Sequence, residues 1–209
     1  MRRLLIATTN RDKVREIRWL LKDAPVDLIG LSDVAPVREP DETGSTFAEN
    51  ARLKARYYAN HSGLLTVAED SGLVIDALDG EPGVWSARFL RPDASYPERF
   101  AAIFERLSHN PDRPRTARFV CALAVVDSDR IAFETTGTVE GLIASAPAGS
   151  RGFGYDPIFY YPPYGTTLAD VDEDHKLAVA HRGQAFRALA KWLREELSGS
   201  GKNTEKFTR

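Results

Sequence analysis

The amino-acid sequence predicts an α/β protein built around a mixed β-sheet. Strand-like apolar runs alternate with amphipathic helical segments early in the chain, and two long strand-like runs later flank a short polar turn. With 43% hydrophobic residues in 209, the chain has the means for a sizeable core. A chain of this length suits one domain, perhaps of two lobes, and buries roughly 70% of the surface its unfolded form exposes.

Residues 4–7 form the first strand, and Thr8, Thr9 and Asn10 then offer hydroxyl and amide groups suited to a turn or helix N-cap. A helix follows over residues 11–21, with Val14, Ile17, Leu20 and Leu21 on its apolar face and Lys13 and Glu16 off it. Its N-terminus lies just past a strand end, where unpaired N–H groups and the helix dipole favour an anion. The loop "VAPVREPDETGS" leads to a capping box, Thr46 with Glu49, which opens a helix over residues 47–60. Asn50 and Lys54, four residues apart, point the same way on it.

"LLTVA" reads as a buried strand reaching Glu69 and Asp70, and "LVIDAL" as a second extended run after Ser71 and Gly72. "GEPGVWSARF" is a loop, with Trp85 and Arg88 read as packing on a cleft wall. "YPERFAAIFERL" is a helix with Phe100, Ile103, Phe104 and Leu107 on one face. "ARFVCALAVVD" and "RIAFETTGTVEGLI" pair as a hairpin about Ser128, "GFGYDPIFYYP" joins a Gly-rich turn to an aromatic strand, and a last helix covers residues 183–197. Residues 198–209 lack apolar periodicity and are expected to be disordered, leaving residues 1–197 as one domain.

A net charge of -2 lacks the basic excess of a general nucleic-acid binder, so no nucleic-acid polymer is expected as partner. The opening MRRLLIATTN does not have the pattern of a signal peptide, and no apolar run reaches membrane-spanning length. Cys121 is the single cysteine, read as a small buried hydrophobe. The chain is accordingly expected to be cytoplasmic and without a membrane partner.

Four polar clusters each sit at the end of an apolar element: "TTNRDK", "DETGSTFAENARLK", "AEDSG" and "DHKLAVAHRG". Each alone also fits a helix cap, a solvated loop or a turn. Together they hold carboxylates (Glu42, Glu49, Glu69, Asp70), short polar groups (Thr8, Asn10, Asn50, Ser71) and cations (Lys13, Lys54, Lys176, Arg182). That inventory suits Mg²⁺ and a polyphosphate, because magnesium takes one or two carboxylates plus substrate phosphates, and lysine and arginine offset phosphate charge. No Walker A pattern, zinc-ligand spacing or Gly-x-Ser-x-Gly elbow is present.

"ATTNRDKVREI", "TGSTFAENARLKA", "AEDSGL", "GEPGVWSAR", "GFGYDPIF" and "HRGQA" resemble, in order, the successive motifs of the inosine triphosphate pyrophosphatase family, the XTP/dITP diphosphatases also called Ham1-like or RdgB-like proteins. The resemblance implies a two-lobed fold around a long mixed sheet, an active cleft between the lobes, and a homodimer. It implies Mg²⁺-dependent hydrolysis of non-canonical purine nucleoside triphosphates (ITP, dITP, XTP) to monophosphate and pyrophosphate. Carried over by motif, Thr8, Thr9, Asn10 and Lys13 hold the phosphate chain. Glu42 and Asp70 place Mg²⁺, with Glu69 a second-choice ligand, because adjacent carboxylates on an extended strand point apart. Asp70 is also the general base, Ser71 hydrogen-bonds substrate, and Lys54 balances charge near the metal.

Phe153 resembles the residue that stacks on the purine, with Gly154, Tyr155 and Asp156 completing its turn. Lys176, His181 and Arg182 resemble base and phosphate contacts. Two positions depart from the pattern: Glu69 replaces a more usual aspartate, and Ala180 replaces the serine of the usual "SHRG", which puts metal preference and base selectivity in question. The alternatives are a Maf-like pyrophosphatase of similar fold with other base preferences and a nucleotide-binding regulator without turnover.

Overall fold

Leu4, Leu5 and Ile6 are apolar without alternation, and they form the buried C-terminal part of a parallel strand covered there on both faces, β1 (Arg2–Ile6). It pairs in parallel with β2 (Val26–Gly30) on one side and with β3 (Leu65–Ile75) on the other. Antiparallel pairing continues through β4 (Thr116–Asp127), β5 (Arg130–Ile143), β6 (Phe159–Tyr161) and β7 (Thr166–Thr167). The resulting seven-stranded mixed sheet has the order β2-β1-β3-β4-β5-β6-β7. The computed structural model describes residues 1–199. Residues 200–209, most of the tail expected to be disordered, lie outside the described residues.

Among the described residues five α-helices pack around the sheet: α1 (Arg11–Leu20), α2 (Phe47–Ser62), α3 (Tyr96–Ser108), α4 (Glu173–Val179) and α5 (His181–Gly199). Helix α5 starts two residues earlier and ends two residues later than its sequence periodicity suggests. α1 and α5 share one face of the first lobe, where Ile17, Leu21, Phe186, Leu189 and Leu193 meet Leu4, Ile6, Val67, Leu123 and Val125. α2 covers the opposite face with Ala51, Ala55 and Ala59, small side chains that let it lie close to Leu5, Ala68, Ala122 and Ala124. The far ends of β3, β4 and β5 cross into a second lobe, whose core joins Leu73, Phe119 and Ile143 to Phe100 and Ile103 of α3 and to Phe159. Full burial of each such side chain stabilises the fold by about 1.5–3 kcal/mol.

β3 differs from the sequence expectation. It is one unbroken strand, paired with β4 from Thr66 to Ile75, and Ser71 and Gly72 do not interrupt it. The glycine is there for close packing: a Cβ at position 72 would collide with Ser86 Oγ and press on the Gly83 carbonyl and the Phe47 ring. β1, by contrast, stops pairing with β3 at Val67, and the last bond across is Ala7 N–H to the Val67 carbonyl at 2.9 Å. Where β1 ends and β3 runs on, a gap opens between the lobes, outside the carboxyl end of a parallel strand.

Candidate active site

The gap is one continuous cleft with a wide end of about 690 Å³ and a narrow end of about 80 Å³, sharing Asn10, Lys13, Ser71 and Ala87 in their walls. β3 delivers its side chains to both ends, and strand alternation sorts them. Asp70 faces α2 at the wide end, whereas Glu69 and Ser71 face α1 and α5.

At the wide end the helical spacing of Asn50 and Lys54 brings both onto Asp70. Asn50 Nδ2 donates to Asp70 Oδ2 at 3.1 Å, and Lys54 Nζ lies 3.4 Å from Oδ1. Lys54 also donates to Glu42 Oε1 at 2.6 Å, and Arg88 Nη1 donates to Glu42 Oε2 at 2.7 Å. Burial pushes the Asp70 carboxyl above its ordinary pKa in spite of Lys54. Burial works on Glu42 in the same sense, but Lys54 and Arg88 outweigh it and hold that carboxyl below the ordinary value. Two carboxylates bridged by one ammonium, at an open mouth and with oxygen donors only, fit a hard cation that keeps waters and substrate oxygens in its shell. Glu42 and Asp70 are the side chains that would hold it.

Thr8, Thr9, Asn10 and Lys13 line the same mouth at the start of α1. Asn10 is the N-cap: its Oδ1 accepts from the N–H groups of Asp12 and Lys13 at 3.0 and 3.2 Å, which fixes the turn and sets Lys13 on the cleft wall.

The narrow end is walled by Phe153, Gly154, Tyr155, Asp156, Lys176, His181 and Arg182, together with Phe119 and Tyr96. Gly152 and Gly154 take φ of 69° and 68°, and a Cβ on Gly152 would strike Asp156 Oδ2, so glycine there lets the turn fold back on that carboxylate. Asp156 Oδ2 accepts from the Phe153 N–H at 2.9 Å and from Lys176 Nζ at 2.6 Å. Lys176 Nζ lies 4.7 Å from the Phe153 ring centroid, and the Arg182 guanidinium carbon 5.5 Å from it. Tyr155 has a structural contact as well, its hydroxyl donating to the Ser86 carbonyl at 2.8 Å.

His181 opens α5 and stacks on Phe119 at 4.9 Å between centroids. Among the described residues, its buried Nδ1 has no hydrogen-bond partner. Burial, with Arg182 beside it, holds the imidazole well below its ordinary pKa, so it is neutral.

Three residues have surroundings that differ from the sequence expectation. Glu69 stands away from the wide end and its oxygens are taken: Oε1 lies 3.0 Å from Lys13 Nζ and 2.9 Å from Arg182 Nη2, and Oε2 accepts from the Cys121 thiol at 3.0 Å. Burial would raise its pKa, but Arg182 and Lys13 outweigh it and hold it well below the ordinary value. The longer side chain at position 69 therefore anchors two cleft cations, and Cys121 is a hydrogen-bond donor in addition to a small buried group. Ala180 precedes α5, and its carbonyl accepts from the Gln184 N–H at 3.0 Å, so it is the helix N-cap. A serine hydroxyl at this position is placed first of all to cap α5.

Glu16 is the residue the sequence pattern hides. It is buried, and both of its oxygens are taken: Oε1 accepts from Lys176 at 2.9 Å and Oε2 from Arg182 at 2.7 Å. The signal for it was its place one helical turn after Lys13 on the same side of α1. Lys13, Glu69, Arg182, Glu16, Lys176 and Asp156 thus form an unbroken chain of six alternating charges along the narrow end. Arg88 was likewise read as wall packing and proves to hold Glu42.

The arrangement has relatives. A dITP/XTP pyrophosphatase of an Exiguobacterium species is 46% identical over 187 residues, covering 90% of this chain and 94% of that one. One from Yersinia pestis is 43% identical over 199 residues, covering 93% and 100%. A solved HAM1 protein from Coxiella burnetii superimposes with a TM-score of 0.88 at 40% identity, covering 93% of this chain and all of the other. The profile of the Ham1 family matches residues 4–192, from β1 through most of α5 and so across every wall of the cleft; the chain belongs to the Ham1 family.

Proposed function

We propose that the protein hydrolyses non-canonical purine nucleoside triphosphates, dITP, XTP and ITP, to the nucleoside monophosphate and pyrophosphate, with Mg²⁺ held by Glu42 and Asp70. The observation that carries the reading is the division of one cleft by β3. Asp70, with two carboxylate-bound cations nearby, faces the wide end, while one residue on, Ser71 opens toward a narrow end walled by Phe153 and the unpartnered nitrogen of His181. The names and the high identity of the dITP/XTP pyrophosphatases support the same substrate class.

In this reading the purine lies against Phe153, and His181 meets its edge. Inosine and xanthosine carry an oxygen at purine position 6 where adenine carries an amino donor, so a protein donor fixed there is left facing a donor when adenine enters. The triphosphate passes Ser71 to the N-terminus of α1, where N–H groups, Lys13 and Lys54 offset its charge. Asp70 accepts a proton from the attacking water, whose oxygen bonds to the α-phosphorus as the bond to the bridging oxygen breaks and pyrophosphate leaves. Burial suits Asp70 to this, since a carboxylate with a raised pKa is a stronger base. Bound at Glu42 and Asp70, magnesium would supply charge neutralisation and polarisation of the phosphate.

The same reading makes the protein a cytoplasmic homodimer. Among the described residues no helix is long and apolar enough to cross a membrane, and sedimentation measures the dimer directly. The chemistry is tested by offering purified protein and Mg²⁺ with dITP, XTP, ITP, GTP, ATP and dTTP separately and scoring pyrophosphate against orthophosphate. Pyrophosphate from the first three, with little from the rest, is expected; no pyrophosphate from any of them overturns the reading.

A further inference from the structure

Both oxygens of Glu42 are already engaged by cations, Oε1 by Lys54 and Oε2 by Arg88. A metal arriving at Glu42 would add a divalent charge beside these two cations, and their mutual repulsion favours the departure of one of them. Lys54 is buried and keeps a second carboxylate, Asp70, in reach at 3.4 Å. Among the described residues Arg88 has no such second acid. Its side chain is 29% exposed at the rim of the wide end, and its guanidinium carbon lies 4.5 Å from the ring centroid of Trp85, itself 58% exposed.

The backbone beneath these two side chains is pinned. In the 3₁₀ segment Gly83–Arg88, Ser86 Oγ accepts from the Leu73 N–H at 2.9 Å and donates to the Gly83 carbonyl at 2.6 Å, while the Ser86 carbonyl accepts from Tyr155. The two residues lie on either side of that anchor, so Arg88 can turn as a side chain while the segment stays in place. Both Trp85 and Arg88 border the wide end together with Lys13, Thr8 and Asp70.

Resting on the reading that this end takes a polyphosphate with magnesium, we propose that Arg88 is a further substrate-binding residue. It is latched to Glu42 before metal binds and moves to the polyphosphate once Glu42 is taken. A guanidinium beside a carboxylate that has acquired a divalent cation is repelled, and phosphate oxygens offer it a bidentate alternative within the same cleft. The Trp85 ring stays under the guanidinium as it turns and offsets the lost ion pair in part. Metal and polyphosphate then bind with positive coupling, each favouring the other through one side chain.

Inorganic tripolyphosphate is the probe, titrated calorimetrically into the full-length protein in Mg²⁺ and again in chelator. Arg88→Gln is expected to weaken binding about tenfold in Mg²⁺ and to change it less than about twofold in chelator. Glu42→Gln unlatches Arg88 without metal, so it tightens binding in chelator, and the gain disappears in the Glu42→Gln/Arg88→Gln double variant. A general charge effect would leave that gain intact. In protein carrying Trp19→Phe and Trp192→Phe, Trp85 emission shifts when Mg²⁺ and tripolyphosphate are added together, and Arg88→Gln abolishes the shift. If that background folds poorly, the calorimetric comparison decides alone.

Equal weakening by Arg88→Gln with and without Mg²⁺ overturns the latch, and so does a Glu42→Gln gain that survives in the double variant. No weakening in Mg²⁺, or no Mg²⁺-dependent binding of tripolyphosphate by the wild type, overturns the proposal altogether. Pyrophosphate release from dITP by the wild type is scored separately, so the reaction can stand while the latch falls.

Discussion

The two sides of β3 hold nearly the same kinds of side chain and use them oppositely. Around the narrow end six charges alternate, all but Lys13 buried, and each carboxylate oxygen of Glu16 has its own cation. At the wide end Asp70 has a single amide and a more distant ammonium, and burial leaves its ionised form disfavoured. Matched charges in a dry setting make a scaffold that fixes Lys13, Lys176 and Arg182. A mismatched carboxylate at a wet mouth is held in readiness for a proton or a cation, at a cost in stability.

The sharpest way to break this contrast is Asp70→Asn. Turnover, read as pyrophosphate release, is expected to fall about a thousandfold while nucleotide affinity is largely kept. Because ionised Asp70 is disfavoured by burial, the same variant should unfold at equal or higher denaturant concentration than wild type. An active Asp70→Asn protein would move the base elsewhere.

Glu16→Gln tests the opposite side. It leaves Lys176 and Arg182 with an uncompensated charge in a buried setting, and a loss of about 3–5 kcal/mol in urea unfolding is expected. A Glu16→Gln protein of wild-type stability would show that the charge chain is not the scaffold described.

The next effect is a pH dependence. His181 stays neutral in the fold while the unfolded chain takes up its proton near pH 6.5, so the unfolded state binds more protons and stability declines as pH falls below that value. The slope from this group is at most about 1.4 kcal/mol per pH unit. Glu69, whose pKa is depressed, adds stability that is lost only lower, as pH falls below about 4.5. Asp70 has the reverse sign and offsets part of the acid loss. Unfolding curves between pH 7 and 5 check the first term, and His181→Asn should flatten them.

The smallest expected effect is a gain. Ala180→Ser supplies a capping hydroxyl at the N-cap of α5 and should raise the unfolding free energy by about 1 kcal/mol. If position 180 serves capping alone, the ratio of turnover on dITP to that on dGTP stays unchanged. A shifted ratio would bring this residue into base recognition.

What the sequence disclosed was local. A turn or N-cap among Thr8, Thr9 and Asn10, the Thr46–Glu49 box and the hairpin at Ser128 follow from side chains acting on their own backbone, and the structure has all three, with Asn10 as the cap. The helical spacing of Asn50 and Lys54 foretold their common target. Pairings across long separations were not legible in this way. Ser71 and Gly72 read as a break because nothing near them in sequence reveals that Ser86 and Phe47 close on that glycine. Glu16 is placed off the apolar face of its helix by the sequence and given no role, because its partners, Lys176 and Arg182, lie 160 and 166 residues away. Arg88 looked like loop packing because Glu42 reaches it only through the fold.

The unbroken run of β3 has a consequence for how this protein can change over generations. Along a strand, which side a residue faces is decided by counting, so inserting or deleting one position between Val67 and Leu73 would swap the surroundings of Glu69, Asp70 and Ser71 all at once. The cations on one side and the opened mouth on the other would each receive the wrong group. Substitutions here can be tried singly and mildly, as aspartate for glutamate at position 69 would be, whereas a change in length admits no intermediate. The loop after α3, away from the cleft, can drift in size, but the stretch that divides the cleft must keep its count.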